Sequence, residues 1–331
     1  MAIDRMMIYD LIYALAASNG RDKVLFGSSS PLAREAFLRS LAGDYFPELW
    51  FELPLTGDPW FDLHALVARG DLDPNGSFEP ETCGNSPESF AWFAAQKAGV
   101  RQLALSWDVS AGDVESPAVQ LLTGNGDPQV VCAFLEASGR ADATHAYRVF
   151  HKSIPWSWCA CYAGMFPRRT VPFLRVECIP KRSLQSRYAQ DASLLERHLT
   201  QVGLTELGDT LIPRCQELAS MPFPIEFQFD VTPEGRAGDT FSASLRFSPP
   251  PGTEDEQAFF PNGAGGELMR KAQEWGLVDD RWHELANTAF AKQAKRGDTA
   301  HTIYCYPAFL KLRWREGIPV DAKAYLVAGI Q

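Results

Sequence analysis

Basic side chains recur at alternate positions in short stretches that otherwise carry apolar residues. The stretch 308–329 places Lys311 and Arg313 two residues apart, and Lys323 follows after a turn that contains Gly317. Alternate side chains of a β-strand point to the same face of a sheet. This hairpin is therefore predicted to have one apolar face and one basic face. The basic face could be exposed to water, or it could bind an anion inside the protein.

Two earlier stretches extend the basic set. Arg175 lies in PFLRVECI and Arg246 lies in TFSASLRF, so three separate hairpins supply Arg175, Arg246, Lys311, Arg313 and Lys323. Buried charges are costly unless water, carboxylates or a bound anion compensates them. One close cation–anion contact is worth about 4 kcal/mol at an effective dielectric constant near 20, before desolvation. Several such contacts could hold a diphosphate.

Acidic residues accompany these cations. Glu52 lies between Phe51 and Leu53, and Asp62 and His64 follow on the next predicted strand. A carboxylate at such a position can accept or orient a proton of a substrate. A strand histidine such as His64 could equally face solvent. The inward faces of later strands are expected to carry Glu177, Glu226 and Asp230.

Composition narrows the function classes. The chain has 331 residues, of which 46% are hydrophobic and 22% charged, with a formal net charge of −10. This balance argues against nucleic acid or an anionic membrane as partner. Seven scattered cysteines without CxxC pairs favour a reducing cytoplasm and indicate no metal site. No apolar run reaches membrane-spanning length, so we expect a cytoplasmic protein without a membrane anchor.

Helices and strands alternate along the chain. The segment MMIYDLIYALAAS has helical spacing of apolar residues and is interrupted by charge, which favours an amphipathic helix over a signal peptide. Ser30, Ser86 and Asp127 each precede proline, a typical start of a helix. Later helices are predicted near 142–152, 192–202, 210–219, 266–275 and 281–295.

The elements form five units of two helices and a hairpin, or ααββ. Ten antiparallel strands with one apolar face each, interleaved with amphipathic helices, are best accommodated by a closed barrel inside a ring of helices. The fold class is therefore predicted as α+β, with a closed ten-stranded antiparallel β-barrel. One domain is expected to span residues 1–331, and its polar strand faces are expected to line the lumen.

The chain resembles the aromatic prenyltransferases with the ABBA barrel, and in particular the cyanobactin-type peptide prenyltransferases. Three stretches carry the resemblance: LWFELPL, with Glu52; QLALSWDVSAGDVESPAVQLLTGNGDP; and KLRWREGIPVDAKAYL. The resemblance spans about residues 45–328. It implies transfer of an isoprenyl group, usually dimethylallyl, from a prenyl diphosphate to a peptide, often a macrocyclic one. It also implies magnesium bound to the diphosphate.

The resemblance and the residue types together suggest roles for individual residues. Glu52 would be the catalytic carboxylate, and Asp62, His64 and Trp107 would contact the acceptor. The five basic residues named above would bind the diphosphate. Trp158, Tyr162 and Tyr325 would shield the allylic cation with electron-rich ring faces, although strand aromatics often serve only in packing. The sequence departs from the family on the fourth strand, where Gln120 and its neighbours replace basic residues.

Three functions follow from these observations. The first is prenylation of a peptide by a monomeric enzyme. The second is prenylation of a small aromatic molecule on the same barrel. The third is a barrel that binds a peptide or lipid without chemistry. The several predicted inward acids also raise the hypothesis that the modified side chain is cationic, Arg or His, although Tyr, Trp, Ser and Thr stay open.

Overall fold

The computed structural model describes residues 22–27, 48–68, 87–96, 100–108, 113–124, 126–166, 173–246, 263–296 and 299–330. The first predicted helix, at the N-terminus, and the helix predicted after Ser30 lie outside these residues. Within the described part of the chain, no helix is long and apolar enough to cross a membrane.

In the described part of the chain, eleven strands form a single antiparallel sheet. They are β1 Glu48–Pro54, β2 Asp62–Ala68, β3 Val100–Asp108, β4 Asp113–Thr123, β5 Trp158–Met165, β6 Leu174–Pro180, β7 Ile225–Val231, β8 Ala237–Arg246, β9 Phe290–Arg296, β10 Thr299–Arg315 and β11 Ile318–Ile330.

Ten of these strands close into a barrel. Neighbouring strands pair in sequence order from β1 to β8, β8 pairs with β10, and β11 closes the ring by pairing with both β10 and β1. The predicted closed ten-stranded barrel is thus confirmed. The β10–β11 hairpin turns through Glu316 and Gly317, both with positive φ, in a two-residue loop that matches the twist of the strands.

Helices cover the outer face of the barrel. They are α1 Asp22–Phe26, α2 Pro87–Ala95, α3 Pro128–Ala137, α4 Ala141–Ser153, α5 Arg182–Tyr188, α6 Ala192–Gln201, α7 Gly208–Ser220, α8 Ala264–Glu274 and α9 Trp282–Leu285. Asp127 caps α3 as predicted, because its side chain accepts from the Gln129 amide. The outward strand residues pack against this layer. For example, the ring centres of Phe229 on β7 and Phe150 on α4 are 5.6 Å apart.

One predicted helix was wrong, and two elements were not predicted. The helix predicted over 281–295 is short: α9 ends at Leu285, a 3-10 turn covers Ala286–Thr288, and β9 follows. Strand β9 pairs with the Thr299–Cys305 part of β10, beyond the Phe309–Arg315 part that pairs with β8. It is therefore an extra strand outside the ten that close the barrel. Helix α5, which follows β6 directly, was not predicted.

Candidate active site

The inward strand faces line a cavity of about 480 Å³, within the size range of small-molecule sites. All predicted site residues but one border it: Glu52, Asp62, His64, Trp107, Tyr162, Arg175, Arg246, Lys311, Arg313, Lys323 and Tyr325. Trp107 is nevertheless mainly a core residue, because it is buried with Leu103 and Leu105 on the same strand.

Trp158 lies on the opposite side of the sheet, and its predicted place in the lumen was wrong. Its indole donates to the Tyr188 hydroxyl at 2.7 Å and packs against Phe227 and Phe229 in the core. The physical reason is a β-bulge between Ala160 and Tyr162. The bulge inserts one residue, so it turns Tyr162 to the inner face while Trp158 stays on the outer face.

Glu52 is at the centre of a hydrogen-bonded cluster. Its Oε1 atom lies 2.6 Å from Lys323 Nζ and 3.8 Å from Lys311 Nζ. Its Oε2 atom accepts from the Tyr325 hydroxyl at 2.7 Å and lies 3.0 Å from His64 Nε2. Lys311 also donates to the Tyr325 hydroxyl at 3.1 Å. Two hydrogen-bonding side chains and two lysines, from β2, β10 and β11, therefore surround one buried carboxylate.

The charges of this cluster depend on each other. Burial by itself disfavours ionised Glu52, but Lys311 and Lys323, together with the His64 hydrogen bond, outweigh it and hold the pKa of Glu52 well below its usual value. Burial lowers the pKa of Lys311 to about 8, although Glu52 opposes the shift. Burial and the Glu52 charge raise the pKa of the Tyr325 hydroxyl well above its usual value. Glu52 is therefore ionised and Tyr325 is a neutral donor.

A second chain of hydrogen bonds runs from His64 across β3 and β4. His64 Nδ1 lies 2.5 Å from Ser106 Oγ, and the Gln120 amide donates to the same oxygen at 2.7 Å. Ionised Glu52 can only accept a hydrogen bond, so a neutral His64 carries its proton on Nε2 and donates it to Glu52. Its unprotonated Nδ1 then accepts a hydrogen bond from the Ser106 hydroxyl. Gln120 thus orients the ring of His64 instead of supplying the positive charge expected on the fourth strand.

Asp62 lies next to Glu52, since the two residues are directly paired in the β1–β2 register. Burial and the Glu52 charge raise the pKa of Asp62 to about 6, while Lys323 acts in the opposite direction. Two adjacent carboxyls at the cavity wall therefore have opposite pKa shifts.

Carboxylates already hold two of the predicted diphosphate-binding arginines. Arg175 donates to Asp230 through Nε at 2.7 Å and Nη2 at 3.3 Å, and Arg313 pairs with Asp321 through the same two nitrogens. Each pair uses one edge of a guanidinium that has five N–H donors. The carboxylates fix the orientation of both arginines and leave the remaining N–H groups for a ligand.

Arg246 differs from the other cations. It is exposed at the end of β8, and its guanidinium lies 4.7 Å from the centre of the Phe309 ring, which it contacts in a cation–π arrangement. Among the described residues, no carboxylate lies within 4 Å of it in an ion pair. Phe309, Trp50 and Tyr325 form an aromatic cluster on this wall, with Trp50 and Phe309 ring centres 5.1 Å apart.

The Tyr162 ring lies over Gly164, two residues further along the same strand. A Cβ atom at Gly164 would lie 3.0 Å from the Tyr162 hydroxyl and 3.3 Å from Gln120. The absence of a side chain at Gly164 therefore allows the ring to lie flat along the wall. Burial raises the pKa of the Tyr162 hydroxyl well above its usual value, so the ring is neutral.

The other inward acids form a proton-sharing pair. Burial and the Glu177 charge raise the pKa of Glu226 well above its usual value, and its carboxyl hydrogen bonds to Glu177. Gln228 donates to Glu177 at 3.3 Å. In the described ranges, no group of three or more His, Cys, Asp or Glu side chains could hold a metal ion.

Several site residues were not predicted from the sequence. Ser106, Trp50, Phe309 and Asp321 line the site or hold its cations, yet only their strand parity could have indicated this. Asp321 alternates with Lys323 and Tyr325, and Trp50 alternates with Glu52, so both belong to inward faces that had already been identified.

One comparison with known proteins bears on the fold. No protein-family model and no curated protein matches the chain. Among solved structures, it is similar to the apo crystal structure of the prenyltransferase PriB, with 14% sequence identity and a TM-score of 0.51. The similarity covers 97% of this chain and 96% of that chain. The chain therefore has the barrel fold of a prenyltransferase, as the resemblance in its sequence implied.

Proposed function

We propose that this protein is a prenyltransferase that transfers an isoprenyl group, dimethylallyl in the first instance, from a prenyl diphosphate to a side chain of a peptide. The observation that carries the proposal is the cavity in which Lys311, Lys323 and Arg313 converge beside aromatic walls. The fold shared with PriB supports the same reading. The proposal that the acceptor is a macrocyclic peptide rests on the resemblance of the sequence to the cyanobactin-type prenyltransferases.

The cations would bind the diphosphate and stabilise it as it leaves. Lys311 and Lys323 lie deep in the cavity around Glu52, Arg313 and Arg175 are pre-oriented by carboxylates, and Arg246 lies exposed at the end of β8. Fixed charges of this kind stabilise developing negative charge without reorganisation. The allyl carbon–oxygen bond breaks, and its electron pair leaves with the diphosphate.

The aromatic residues would protect the electron-poor allyl fragment. The rings of Tyr162 and Tyr325 border the cavity, and neutral aromatic faces stabilise cations while excluding water. Glu52 and Asp62 would contact the acceptor from β1 and β2. Magnesium remains part of the proposal only as a partner of the diphosphate, and none of these steps depends on a protein-bound metal.

A small aromatic acceptor is a second candidate. The cavity of about 480 Å³ has the volume of a site for one donor and a single ring or side chain. A peptide macrocycle would have to insert only the side chain that is modified. A non-catalytic binding barrel is the third alternative, because several cations are already paired with carboxylates.

One mass-spectrometric experiment separates the three. The protein is incubated with dimethylallyl or geranyl diphosphate, magnesium, and matched cyclic peptides that differ only in Arg, His, Tyr, Trp, Ser or Thr, alongside free tryptophan and a flavonoid. Peptide products heavier by one isoprenoid unit support the proposal. Products from small aromatics alone favour the second candidate, and no product with any acceptor favours the third.

Two variants control for contaminating activity. The double variant Lys311→Met/Lys323→Met removes the deep cations and should abolish product. Arg315→Ala removes an exposed arginine on the same strand that does not border the cavity. It should retain full activity.

A further inference from the structure

We infer that Asp62, and not Glu52, accepts the proton that the acceptor loses on prenylation. This inference rests on the proposed function and names a catalytic residue within it.

Glu52 is a poor base for a geometric reason. Lys323 and Lys311 approach Oε1, while Tyr325 and His64 approach Oε2. Two ion pairs and two hydrogen bonds to the ionised form lower the proton affinity of this carboxylate. Protonation of Glu52 would also leave two buried lysines without a full counter-charge. The role that fits Glu52 is to fix these cations and Tyr325.

His64 is also excluded as the base. Its Nε2 atom is engaged by Glu52 at 3.0 Å and its Nδ1 atom by Ser106 at 2.5 Å. Gln120 fixes the Ser106 hydroxyl in turn. Both ring nitrogens are therefore occupied, so the imidazole cannot reach an acceptor without breaking this chain.

Asp62 borders the same cavity as Glu52, but its pKa is shifted in the opposite direction. It is paired with Glu52 across β1 and β2, borders the cavity, and is only 8% exposed. The charged and titratable groups around it are Glu52 on β1, Lys323 on β11, Asp108 on β3 and His64 on β2. Burial, followed by the charges of Glu52 and Asp108, raises the pKa of Asp62 to about 6, while Lys323 and His64 act in the opposite direction. A base whose pKa lies near the working pH is the most effective one.

The reaction balances with Asp62 in this role. The bond between the allyl carbon and the diphosphate oxygen breaks, and diphosphate leaves with the electron pair. The acceptor atom supplies the electron pair of the new bond to that carbon. Its proton passes to a carboxylate oxygen of Asp62, which later releases it to water.

The test is the pH dependence of the single-turnover rate constant in the wild type and three variants, with an acceptor found in the panel above. Wild type should lose activity as the pH falls below about 6. Asp62→Asn should lose about 100-fold at pH 7 and should no longer show this decline. Asp62→Glu should restore part of the rate. Asp239→Asn, which alters an exposed acid on β8, should behave as wild type.

Glu52→Gln distinguishes the two carboxyls. Removal of the Glu52 charge lowers the pKa of Asp62, so the acid decline should move to lower pH while a measurable rate persists. Loss of all activity in Glu52→Gln, with Asp62→Asn near the wild-type rate, would overturn the inference.

A measurement on the free protein is independent of turnover. Carbon-13 NMR of the side-chain carboxyls should show Asp62 titrating near pH 6 and Glu52 still ionised at pH 4.5, with Asp62→Asn giving the assignment. The opposite order would overturn the inference even in the absence of a known acceptor. If the wild type prenylates nothing, the proposed function fails separately.

Discussion

Lys323 and Glu52 are joined by a 2.6 Å contact between β11 and β1, the two strands that close the barrel. Both side chains are largely shielded from solvent, with 13% and 8% exposure. The contact therefore links the closure of the sheet to the charge state of the site. Loss of either residue should affect both stability and ligand binding.

Glu52→Gln should destabilise the protein by about 3 kcal/mol at pH 7, because it leaves Lys311 and Lys323 without their carboxylate. The pKa of Glu52 is lower in the folded state, so its contribution is present above the unfolded pKa, near 4.3, and is lost as the pH falls through the folded value. Urea unfolding at pH 7 and pH 3 measures this, with Asp239→Asn as control. A destabilisation of the same size at both pH values would contradict the argument.

Arg246→Ala should weaken binding of a prenyl diphosphate about 10-fold, since it removes an exposed cation that no described carboxylate pairs with. The effect should decrease with added salt, because exposed charges are screened. Isothermal titration calorimetry at two ionic strengths measures it. The control is Arg315→Ala, and equal affinities of the two variants would argue against a role for Arg246.

Asp321→Asn should increase the affinity for the diphosphate. Asp321 holds Arg313 in an ion pair, so it competes with any anionic ligand for the same cation. An ion pair between Arg313 and the diphosphate is worth up to about 4 kcal/mol at an effective dielectric constant near 20. Holding the arginine side chain in one rotamer saves only about 2 kcal/mol of entropy, so the competition should outweigh the orientation. Calorimetric titration is the measurement. Weaker binding would mean that Asp321 acts mainly by orienting Arg313.

Donor affinity should decline as the pH rises above about 8, the pKa to which burial lowers Lys311 despite the opposing charge of Glu52. The charges of Arg175, Lys323 and Arg313 also lower the pKa of Lys311. Above pH 8 Lys311 is therefore mostly neutral in the free protein, which must take up a proton when an anion binds. Lys311→Arg should abolish the decline, because arginine stays charged. Titrations at pH 9 in two buffers of different ionisation enthalpy measure the uptake. Identical pH profiles of wild type and Lys311→Arg would contradict this assignment.

Much of the fold could be predicted because its signals are local. Alternation of apolar residues identified five hairpins, and the Asp127–Pro128 pair gave the start of α3. Strand β9 could not be identified in this way, because FAKQAKR carries too little strand character to override the helical pattern before it. Its structure depends on pairing with β10, a tertiary effect.

The site shows the same division. The inward positions of Lys311, Lys323 and Tyr325 could be predicted from the alternation of side chains along a single hairpin. The same alternation places Trp158 and Tyr162 on one face, but a bulge between them puts them on opposite faces. Which carboxylate pairs with which cation depends on register between distant strands, as for Arg175 and Asp230. Such pairings cannot be obtained from residue spacing.

The contact between Tyr325 and Glu52 spans 273 positions of the chain. Segments this distant in sequence meet late in folding, because the loop entropy between them must be overcome first. Barrel closure and completion of the candidate site are therefore one event. A folding intermediate with β2 to β8 already paired would lack the lysines around Glu52, so recovery of donor binding should follow the slowest refolding phase.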